Sequence, residues 1–298
     1  MSEIKKKEPS IEEVRSYWSE KNIPQQWYSK KDKFTKQWYN EIARQRYENY
    51  YPYLKKMCEF EYHSGEKVLE VGVGMGTDLL EYAKNGALVY GIDLGPDQIE
   101  FSKNLFSTME TKYEDLKVAS AEDIPYENGT FDLVYSFGVL HHTPNTEKSV
   151  DEVYRVLKKD GSAIIMLYAP GWKHYLKRGF IQGIIKGKLF RYKFNFRKLS
   201  NDVSEVHGNS PKTDIYTRRR VKKLFKKFDN IEIYKCRLGE FFDYAPYQTI
   251  KFPSFIKKLF ELFSLEGLIG ENFLIKVKKT PDKNLYKDSL INVLFKHY

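Results

Sequence analysis

Continuous apolar runs alternate with stretches of helical periodicity along the middle of the chain. The runs at 68–71, 88–92, 131–137 and 162–168 are typical of strands that are covered on both faces of a parallel sheet. Helical spacing of apolar residues is clearest at 147–157, between the last two runs. Strands that alternate with helices in this way predict an α/β fold, doubly wound around a mostly parallel sheet.

The first apolar run ends in a turn of three alternate glycines, Gly72, Gly74 and Gly76, and the second run ends on Asp93. This pattern predicts a βαβ unit with a glycine turn after its first strand and an acid after its second. Glycines let the backbone approach a ligand, the helix N-terminus faces it, and the acid accepts hydrogen bonds from ribose hydroxyls. The stretch therefore predicts a nucleoside site.

Two residues around the turn discriminate between nucleosides. A dinucleotide fingerprint needs a third glycine three residues after the second, and that position is Thr77. Glu70 lies inside the end of the first strand. A carboxylate there repels a pyrophosphate but suits a ligand with an ammonium or sulfonium group. A nicotinamide-dependent oxidoreductase is therefore disfavoured.

The pattern Glu-x-Gly-x-Gly-x-Gly at 70–76 resembles the cofactor loop of the class I S-adenosylmethionine-dependent methyltransferases. The stretch 131–145, FDLVYSFGVLHHTPN, resembles the fourth motif of their small-molecule, type 11-like members, and not the Asn/Asp-Pro-Pro-Tyr motif of enzymes that methylate adenine or amide nitrogens. The resemblance covers roughly 66–170 and implies a Rossmann-like, doubly wound seven-stranded sheet whose last strand is antiparallel. It also implies S-adenosylmethionine as cofactor, released as S-adenosylhomocysteine.

The resemblance assigns cofactor-binding roles to particular residues. Glu70 and Asp93 are expected to anchor the cofactor, and Arg46 to meet the carboxylate of its methionine part. Leu94 and Ile99 are expected either to sandwich the purine or to pack in the core. The expected cofactor residues are Arg46, Glu70, Gly72, Gly74, Gly76, Asp93, Leu94, Ser120, Ala121, Glu122 and Ser136.

Adenine recognition departs from the family pattern at one position. Ser120 stands where relatives commonly have an acid, and a hydroxyl is a weaker partner for an amine than a carboxylate. The backbone around Ala121 is therefore expected to meet the adenine edge. Either Ser120 or Glu122 is the side-chain partner.

Two histidines, His141 and His142, follow the strand 131–137 at the edge where ligands of open α/β sheets bind. His141 is the preferred general base or substrate orienter, with His142 as the second candidate. The alternative is that one histidine caps a helix and the other contacts the cofactor.

Further acceptor residues are expected on both sides of the nucleotide-binding half. The loop that contains His207, Asn209 and Tyr216 resembles a Gly-Asn-Pro loop of relatives, with one residue inserted before the proline. His207 and Asn209 are expected to bind the acceptor, and Tyr216 to bind it or assist catalysis. Tyr47, beside Arg46, is a further candidate for the acceptor pocket. A plain turn and ordinary packing are the alternatives.

The chain is expected to divide into an N-terminal helical cap (1–60), a methyltransferase domain (61–280) and a tail (281–298). Inserts at 171–215 and 238–270, after strands five and six, would build the acceptor pocket. The aromatic cap is expected either to pack on the sheet or to serve as a lid that excludes water.

Composition is that of a globular protein, with 41% hydrophobic and 30% charged residues among 298. The chain has no apolar run of membrane-spanning length, and its N-terminus lacks the apolar core of a secretory signal, so a cytoplasmic location is expected. Cys58 and Cys236 suit a reducing compartment and form no metal-spacing motif. No metal is expected to take part.

The net charge of +10 concentrates in residues 171–201, which contain nine Lys or Arg, seven aromatic residues and no acidic residue. Three roles are open for this segment: a lid over the substrate, a contact with anionic lipid, and, least favoured, a nucleic-acid surface. A negatively charged acceptor would also suit the positive balance. Oligomeric state is left open.

The function that these patterns favour is methyl transfer to a small-molecule acceptor, such as the hydroxyl or amine of a metabolite, sugar or natural product. The first alternative is a membrane-peripheral methyltransferase for a lipid or lipid-linked saccharide. The second is a module that binds the cofactor without turnover. The acceptor and the atom that takes the methyl group are left open.

Overall fold

Seven strands form one mixed sheet in this computed structural model, which describes residues 8–20, 32–171, 183–195, 199, 210–236 and 271–280. The strands are β1 (Lys67–Val71), β2 (Leu88–Asp93), β3 (Asp115–Val118), β4 (Phe131–Phe137), β5 (Leu157–Tyr168), β6 (Asp229–Cys236) and β7 (Asn272–Lys278). Across the sheet their order is β3-β2-β1-β4-β5-β7-β6, with β7 antiparallel to both of its neighbours. The predicted α/β fold with an antiparallel last strand is confirmed.

The central strand β1 pairs in parallel on both sides, with Leu69 opposite Tyr90 of β2 and opposite Val134 of β4. The chain moves outward from β1 to β3 on one side and from β4 to β5 on the other. Between β1 and β4 the connections therefore leave in opposite directions. A crevice opens at the carboxyl ends of strands at such a reversal, and this is where open α/β sheets bind ligands.

Helices cover both faces of the sheet. They are α1 (Ile11–Glu20), α2 (Lys36–Arg44), α3 (Leu54–Met57), α4 (Thr77–Lys84), α5 (Pro96–Thr108), α6 (Thr146–Val156), α7 (Lys188–Arg191) and α8 (Arg218–Leu224). One apolar core contains Trp38, Leu79 and Phe106 from α2, α4 and α5, and a second contains Val153 of α6 and Phe225 after α8. Burial on both faces explains why the central strands are continuous apolar runs.

The stretch from Thr35 to Tyr50 lacks Pro and Gly, which predicts one helix, but in the structure the winding changes halfway. Thr35 caps α2 by accepting a hydrogen bond from the Trp38 N–H, and residues Gln45–Tyr50 then form a π-helix. The Tyr51 N–H bonds to the Arg46 carbonyl at 2.8 Å, five residues back. π-Turns of this kind are frequent at functional sites.

The sequence Lys158-Lys159-Asp160-Gly161 predicts a turn before the fifth strand, but this prediction is wrong, because these residues belong to β5. The Asp160 N–H donates to the Lys279 carbonyl at 2.7 Å, and the Lys279 N–H donates to the Gly161 carbonyl at 2.9 Å. Chain beyond β7 therefore pairs with this stretch. The strand is nevertheless irregular here. Asp160 has a positive φ of 64°, and the register of β5 shifts opposite β4.

Several predictions fall on residues outside the described ranges: most of the insert 171–215, the insert 238–270 and the tail 281–298. The division into cap, domain and tail stays a prediction. Among the described residues, no helix is long and apolar enough to cross a bilayer.

Candidate functional site

A cavity of about 290 Å³ lies at the carboxyl ends of β1, β2 and β4. Its walls come from the glycine turn after β1, the loops after β2 and β3, the turn after β4, the π-helix and one side of α1. The predicted site residues that line it are Arg46, Glu70, Gly72, Gly74, Asp93, Leu94, Ser120, Ala121 and His142. The structure thus brings together predicted residues from five separate segments, although their individual roles stay predictions.

The first glycine of the turn, Gly72, leaves no room for a side chain on the cavity wall. Gly72 has a φ of +81°, and a Cβ there would lie 2.2 Å from a methyl carbon of Val139 in the turn after β4. Its N–H donates to the Ile92 carbonyl at 2.7 Å and so joins the ends of β1 and β2. Any larger residue would push the glycine turn away from the turn after β4.

Asp93 is held in a fixed orientation by backbone donors. Its two carboxylate oxygens accept the N–H groups of Gly74 at 2.9 Å and Gly95 at 3.0 Å. Burial raises the pKa of the Asp93 carboxyl, and the hydrogen bonds from Gly95 and Gly74 oppose that rise. Since a carboxylate offers about four acceptor positions, this group retains capacity for ligand hydroxyls.

Glu70 is almost completely buried, and its Oε2 atom has no hydrogen-bond partner. Burial raises the pKa of the Glu70 carboxyl well above its usual range, and the negative charge of Asp78 raises it further, while Arg46 lowers it. A buried carboxyl oxygen without a partner is unfavourable on a cavity wall, unless a ligand supplies a hydrogen-bond donor or a positive charge. A cationic group in the cavity would stabilise the ionised form.

Asp78, which the sequence analysis did not single out, organises the wall beside Glu70. Its carboxylate accepts two hydrogen bonds from the Arg46 guanidinium, one of 2.6 Å from Nε and a short one from Nη2. The hydroxyls of Tyr47 and Tyr135 donate to it at 2.8 and 2.7 Å. An acid in the first turn of a helix is common, so Asp78 carries little signal in the sequence.

Arg46 therefore pairs with a carboxylate of the protein rather than standing open for the cofactor. Its guanidinium also lies over the rings of Tyr51 and Phe137, at 5.3 and 4.9 Å from their centroids. It still lines the cavity. Its neighbour Tyr47, predicted to bind the acceptor, does not line the cavity and supports Asp78 instead.

The structure separates the two histidines. His142 lines the cavity; its Nδ1 lies 2.8 Å from the Lys212 carbonyl oxygen, and its ring packs against Trp18 of α1 at 4.7 Å between centroids. A carbonyl only accepts, so Nδ1 carries the hydrogen, and a neutral ring then has its lone pair on Nε2. The Lys212 peptide fixes the tautomer.

His141, the preferred base, lies away from the cavity. Its side chain is fully buried, neither ring nitrogen has a hydrogen-bond partner, and its ring stacks on Tyr168 at 4.0 Å. Burial is the main cause that holds the pKa of His141 well below its usual range, and the positive charge of Lys212 acts in the same direction. A neutral, enclosed imidazole of this kind packs the interior.

Four other predicted residues lie behind the wall and hold it. Gly76 has a φ of +78° where α4 begins, and a Cβ there would lie 2.9 Å from the Ser102 hydroxyl oxygen. Ser136 donates to the Val71 carbonyl at 2.9 Å, and Glu122 accepts the Asn145 N–H at 2.5 Å. Tyr216 is buried, and burial raises its pKa to about 12.

Helix α1 closes the cavity from outside the sheet, and its residues were not predicted individually. Ile11, Val14 and Trp18 line the cavity. Two hydrogen bonds attach the helix to the loop after β2 and to the first turn of α5. Arg15 Nε donates to the Leu94 carbonyl at 3.2 Å, and Gln98 Nε2 of α5 donates to the Trp18 carbonyl at 3.2 Å. The wider prediction of an aromatic cap over the cleft pointed to this region without identifying the helix.

His207 and Asn209, two predicted acceptor residues, lie outside the described residues. Within the described part of the chain, no group of three or more His, Cys, Asp or Glu side chains is placed to hold a metal ion.

Comparison with known proteins places this site in a recognised domain. The sequence model of a protein family, described as a methyltransferase domain, matches residues 69–165. The uncharacterized protein MJ1252 of Methanocaldococcus jannaschii is 29% identical over 206 residues, which are 66% of this chain and 72% of that protein. Phosphoethanolamine N-methyltransferase 2 of Caenorhabditis elegans is 27% identical over 45% of this chain, but the match spans only 30% of that longer protein.

Among solved structures, geranyl diphosphate C-methyltransferase from Streptomyces coelicolor A3(2), crystallised with S-adenosylhomocysteine, superposes with a TM-score of 0.56. The alignment covers 91% of this chain and 99% of that one at 14% sequence identity. At that identity the likeness establishes the fold.

Proposed function

We propose that this chain, which is a class I S-adenosylmethionine-dependent methyltransferase, transfers the methyl group to a hydroxyl or amine of a small-molecule acceptor. Metabolites, sugars and natural products are the acceptor classes in view. The observation that carries the proposal is a pair of acids on the cavity wall, Glu70, which is buried, and Asp93, which is half-buried.

The two carboxylates fit the two chemically distinct ends of the cofactor. Asp93 keeps acceptor capacity beyond its bonds to Gly74 and Gly95, which suits the ribose hydroxyls. Glu70 has an oxygen with no partner, which suits the positively charged methionine part. Ser120 and Ala121 lie on the same wall and are assigned to the adenine edge.

When bound, the cofactor supplies a methyl group activated by a sulfonium; the acceptor atom attacks that carbon while the carbon–sulfur bond breaks and sulfur keeps the electron pair. The protein has to align the two partners and exclude water. Trp18, Val14 and Ile11 of α1 supply that exclusion, since they close the cavity with apolar surface.

His142, rather than His141, is assigned the proton-accepting or orienting role. It lines the cavity, and the Lys212 carbonyl directs the lone pair of the neutral ring to Nε2. An acceptor hydroxyl loses its proton as it attacks, so a base within reach lowers the barrier. The ring of His141 is fully buried and does not line the cavity.

Relatives support a small-molecule acceptor. The two named enzymes compared above act, by their names, on phosphoethanolamine and on geranyl diphosphate. Both acceptors are small and anionic, which agrees with the basic balance of this chain. The acceptor itself is not assigned.

Calorimetric titration with S-adenosylmethionine tests the cofactor site. Asp93→Ala removes two acceptor oxygens and is expected to raise Kd roughly 30-fold or more, since hydrogen bonds to a charged group contribute about 1.5–3 kcal/mol each. Asp97→Ala is the matched control, because Asp97 is exposed in the first turn of α5 and lies off the cavity. Equal affinities of the two variants would refute the assignment.

Turnover is tested separately with methyl-labelled cofactor and a small-molecule extract. Transfer of label to an acceptor that His142→Ala slows would support the proposal. Tight binding of the cofactor with no transfer to any fraction would instead support a module that binds without turnover.

A further inference from the structure

Residues 183–195, which we call the basic aromatic segment, expose an unusual amount of apolar surface. The exposed fractions are 52% for Ile184, 66% for Ile185, 62% for Phe190 and 59% for Phe194. Ten large hydrophobic residues are exposed in the described part of the chain, and four of them fall within these few positions. Scattered apolar residues are normal on a surface, but such a concentration marks a site of interaction.

Positive charge surrounds these side chains. Lys186, Arg191 and Lys193 are exposed among them, and the segment contains no acidic residue. The wider stretch 171–201 holds nine of the fifty lysines and arginines and none of the forty acidic residues, so the remainder of the chain is close to neutral. The partner of this surface is therefore expected to be anionic.

The segment has a defined structure. Gly187, with a φ of +65°, begins α7, and Leu189 turns inward and is buried. The rings of Phe190 and Phe194 contact each other edge to face at 5.2 Å. Ile184 and Ile185 thus lie just before this short helix, Phe190 lies on it and Phe194 lies in the turn after it.

We propose that the basic aromatic segment binds the surface of an anionic lipid bilayer. Aromatic and aliphatic side chains insert at the boundary between headgroups and acyl chains, while lysine and arginine meet lipid phosphates. Nucleic acid would use the charges and the aromatic rings, but exposed Ile184 and Ile185 offer it nothing.

Sedimentation of the full chain with vesicles tests this proposal. Vesicles of equal parts phosphatidylcholine and phosphatidylglycerol are expected to pellet the protein at low salt, and vesicles of phosphatidylcholine alone to pellet far less. Because each basic residue near an anionic surface contributes about fivefold to partitioning, Lys186→Glu with Arg191→Glu and Lys193→Glu is expected to weaken binding roughly 100-fold. Added salt is also expected to weaken the binding to anionic vesicles.

Matched variants separate this surface from a general effect of charge. Arg219→Glu with Lys222→Glu and Lys223→Glu changes the net charge equally on the exposed side of α8 and is expected to alter binding by less than about threefold. Equal weakening by the two triple variants would overturn the proposal.

A separate variant tests the exposed apolar side chains of the basic aromatic segment. Phe190→Ser with Phe194→Ser is expected to weaken partitioning at least tenfold, whereas Tyr62→Ser, at a residue 78% exposed elsewhere, leaves it unchanged. No vesicle binding at low salt, or binding of RNA without binding of vesicles, would refute the proposal. Since the assay uses no cofactor, its outcome does not depend on the proposed methyl transfer, and cofactor affinity serves to verify that each variant is folded.

Discussion

Replacing Glu70 by Gln tests the site at its most unusual group. The substitution keeps the shape of the side chain and its ability to accept a hydrogen bond, but removes the charge. In the free protein the buried carboxyl has a raised pKa and an oxygen without a partner. The variant should therefore be more stable without cofactor and bind the cofactor more weakly.

The loss of affinity follows from electrostatics. Two unit charges about 4 Å apart interact by about 4 kcal/mol at an effective dielectric constant near 20. Part of this energy is offset, because the wild-type carboxyl must first lose a proton in a buried site. A net loss of about 2 kcal/mol, or roughly 30-fold in Kd, is expected for Glu70→Gln.

The gain in stability depends on pH with a definite sign. Above the ordinary pKa of 4.5, the carboxyl of Glu70 ionises freely in the unfolded chain, while the folded protein, with its raised pKa, still holds the proton. The free energy of unfolding of the wild type therefore falls by up to about 1.4 kcal/mol per pH unit over that interval. Gln does not titrate, so the advantage of the variant should grow as pH rises.

Two measurements check these expectations. Urea unfolding of both proteins without cofactor, at acidic and at mildly alkaline pH, gives the difference in stability. Calorimetry in buffers of different ionisation enthalpy should show that the wild type releases a proton when it binds S-adenosylmethionine and that the variant does not. Glu100→Gln, at an exposed position of α5, is the control.

The neutral product locates the charge that Glu70 meets. If Glu70 contacts the sulfonium, the variant should lose affinity for S-adenosylmethionine but not for S-adenosylhomocysteine. If Glu70 contacts the ammonium group, the variant should lose affinity for both ligands. Unchanged affinity for both ligands, with no proton release by the wild type, would refute the assignment of Glu70 to the cofactor.

Three further predictions concern Asp78 and the two histidines. Asp78→Asn leaves the Arg46 guanidinium without its anion and should lower the free energy of unfolding by about 2–3 kcal/mol in urea titrations, and a loss below about 1 kcal/mol would contradict the central role given to Asp78. His142→Ala should lower kcat roughly 100-fold with little change in cofactor Kd. His141→Leu, which removes two buried ring nitrogens without partners, should keep both turnover and stability; loss of turnover only in the His141 variant would reverse the assignment.

The sheet and the cofactor wall follow from local sequence. Apolar runs set the strands, alternate glycines set the turn, and Asp93 is fixed by backbone donors within its own βαβ unit. Threonine is a preferred residue at the start of a helix, and the hydroxyl of Thr217 caps α8 by accepting the Arg220 N–H. Such features depend on neighbours in the chain, so patterns of residue type reveal them.

The rest of the site depends on contacts between distant segments. Arg46 reaches Asp78 across 32 positions, and the Lys212 carbonyl reaches His142 across 70. The choice between His141 and His142 is made by a single turn of 3₁₀-helix, Leu140–His142, which points adjacent side chains in different directions. Spacing alone gives the two histidines equal standing.

The π-helix at Gln45–Tyr50 constrains the length of the cap. In phase, a π-turn amounts to one extra residue in an α-helix, and one residue corresponds to a rotation of about 100°. It lets Trp38 and Tyr39 of α2 face the core while Arg46 faces the cavity. Loss of a single residue from this stretch would put the two faces out of phase, so the cap tolerates substitution here far better than deletion.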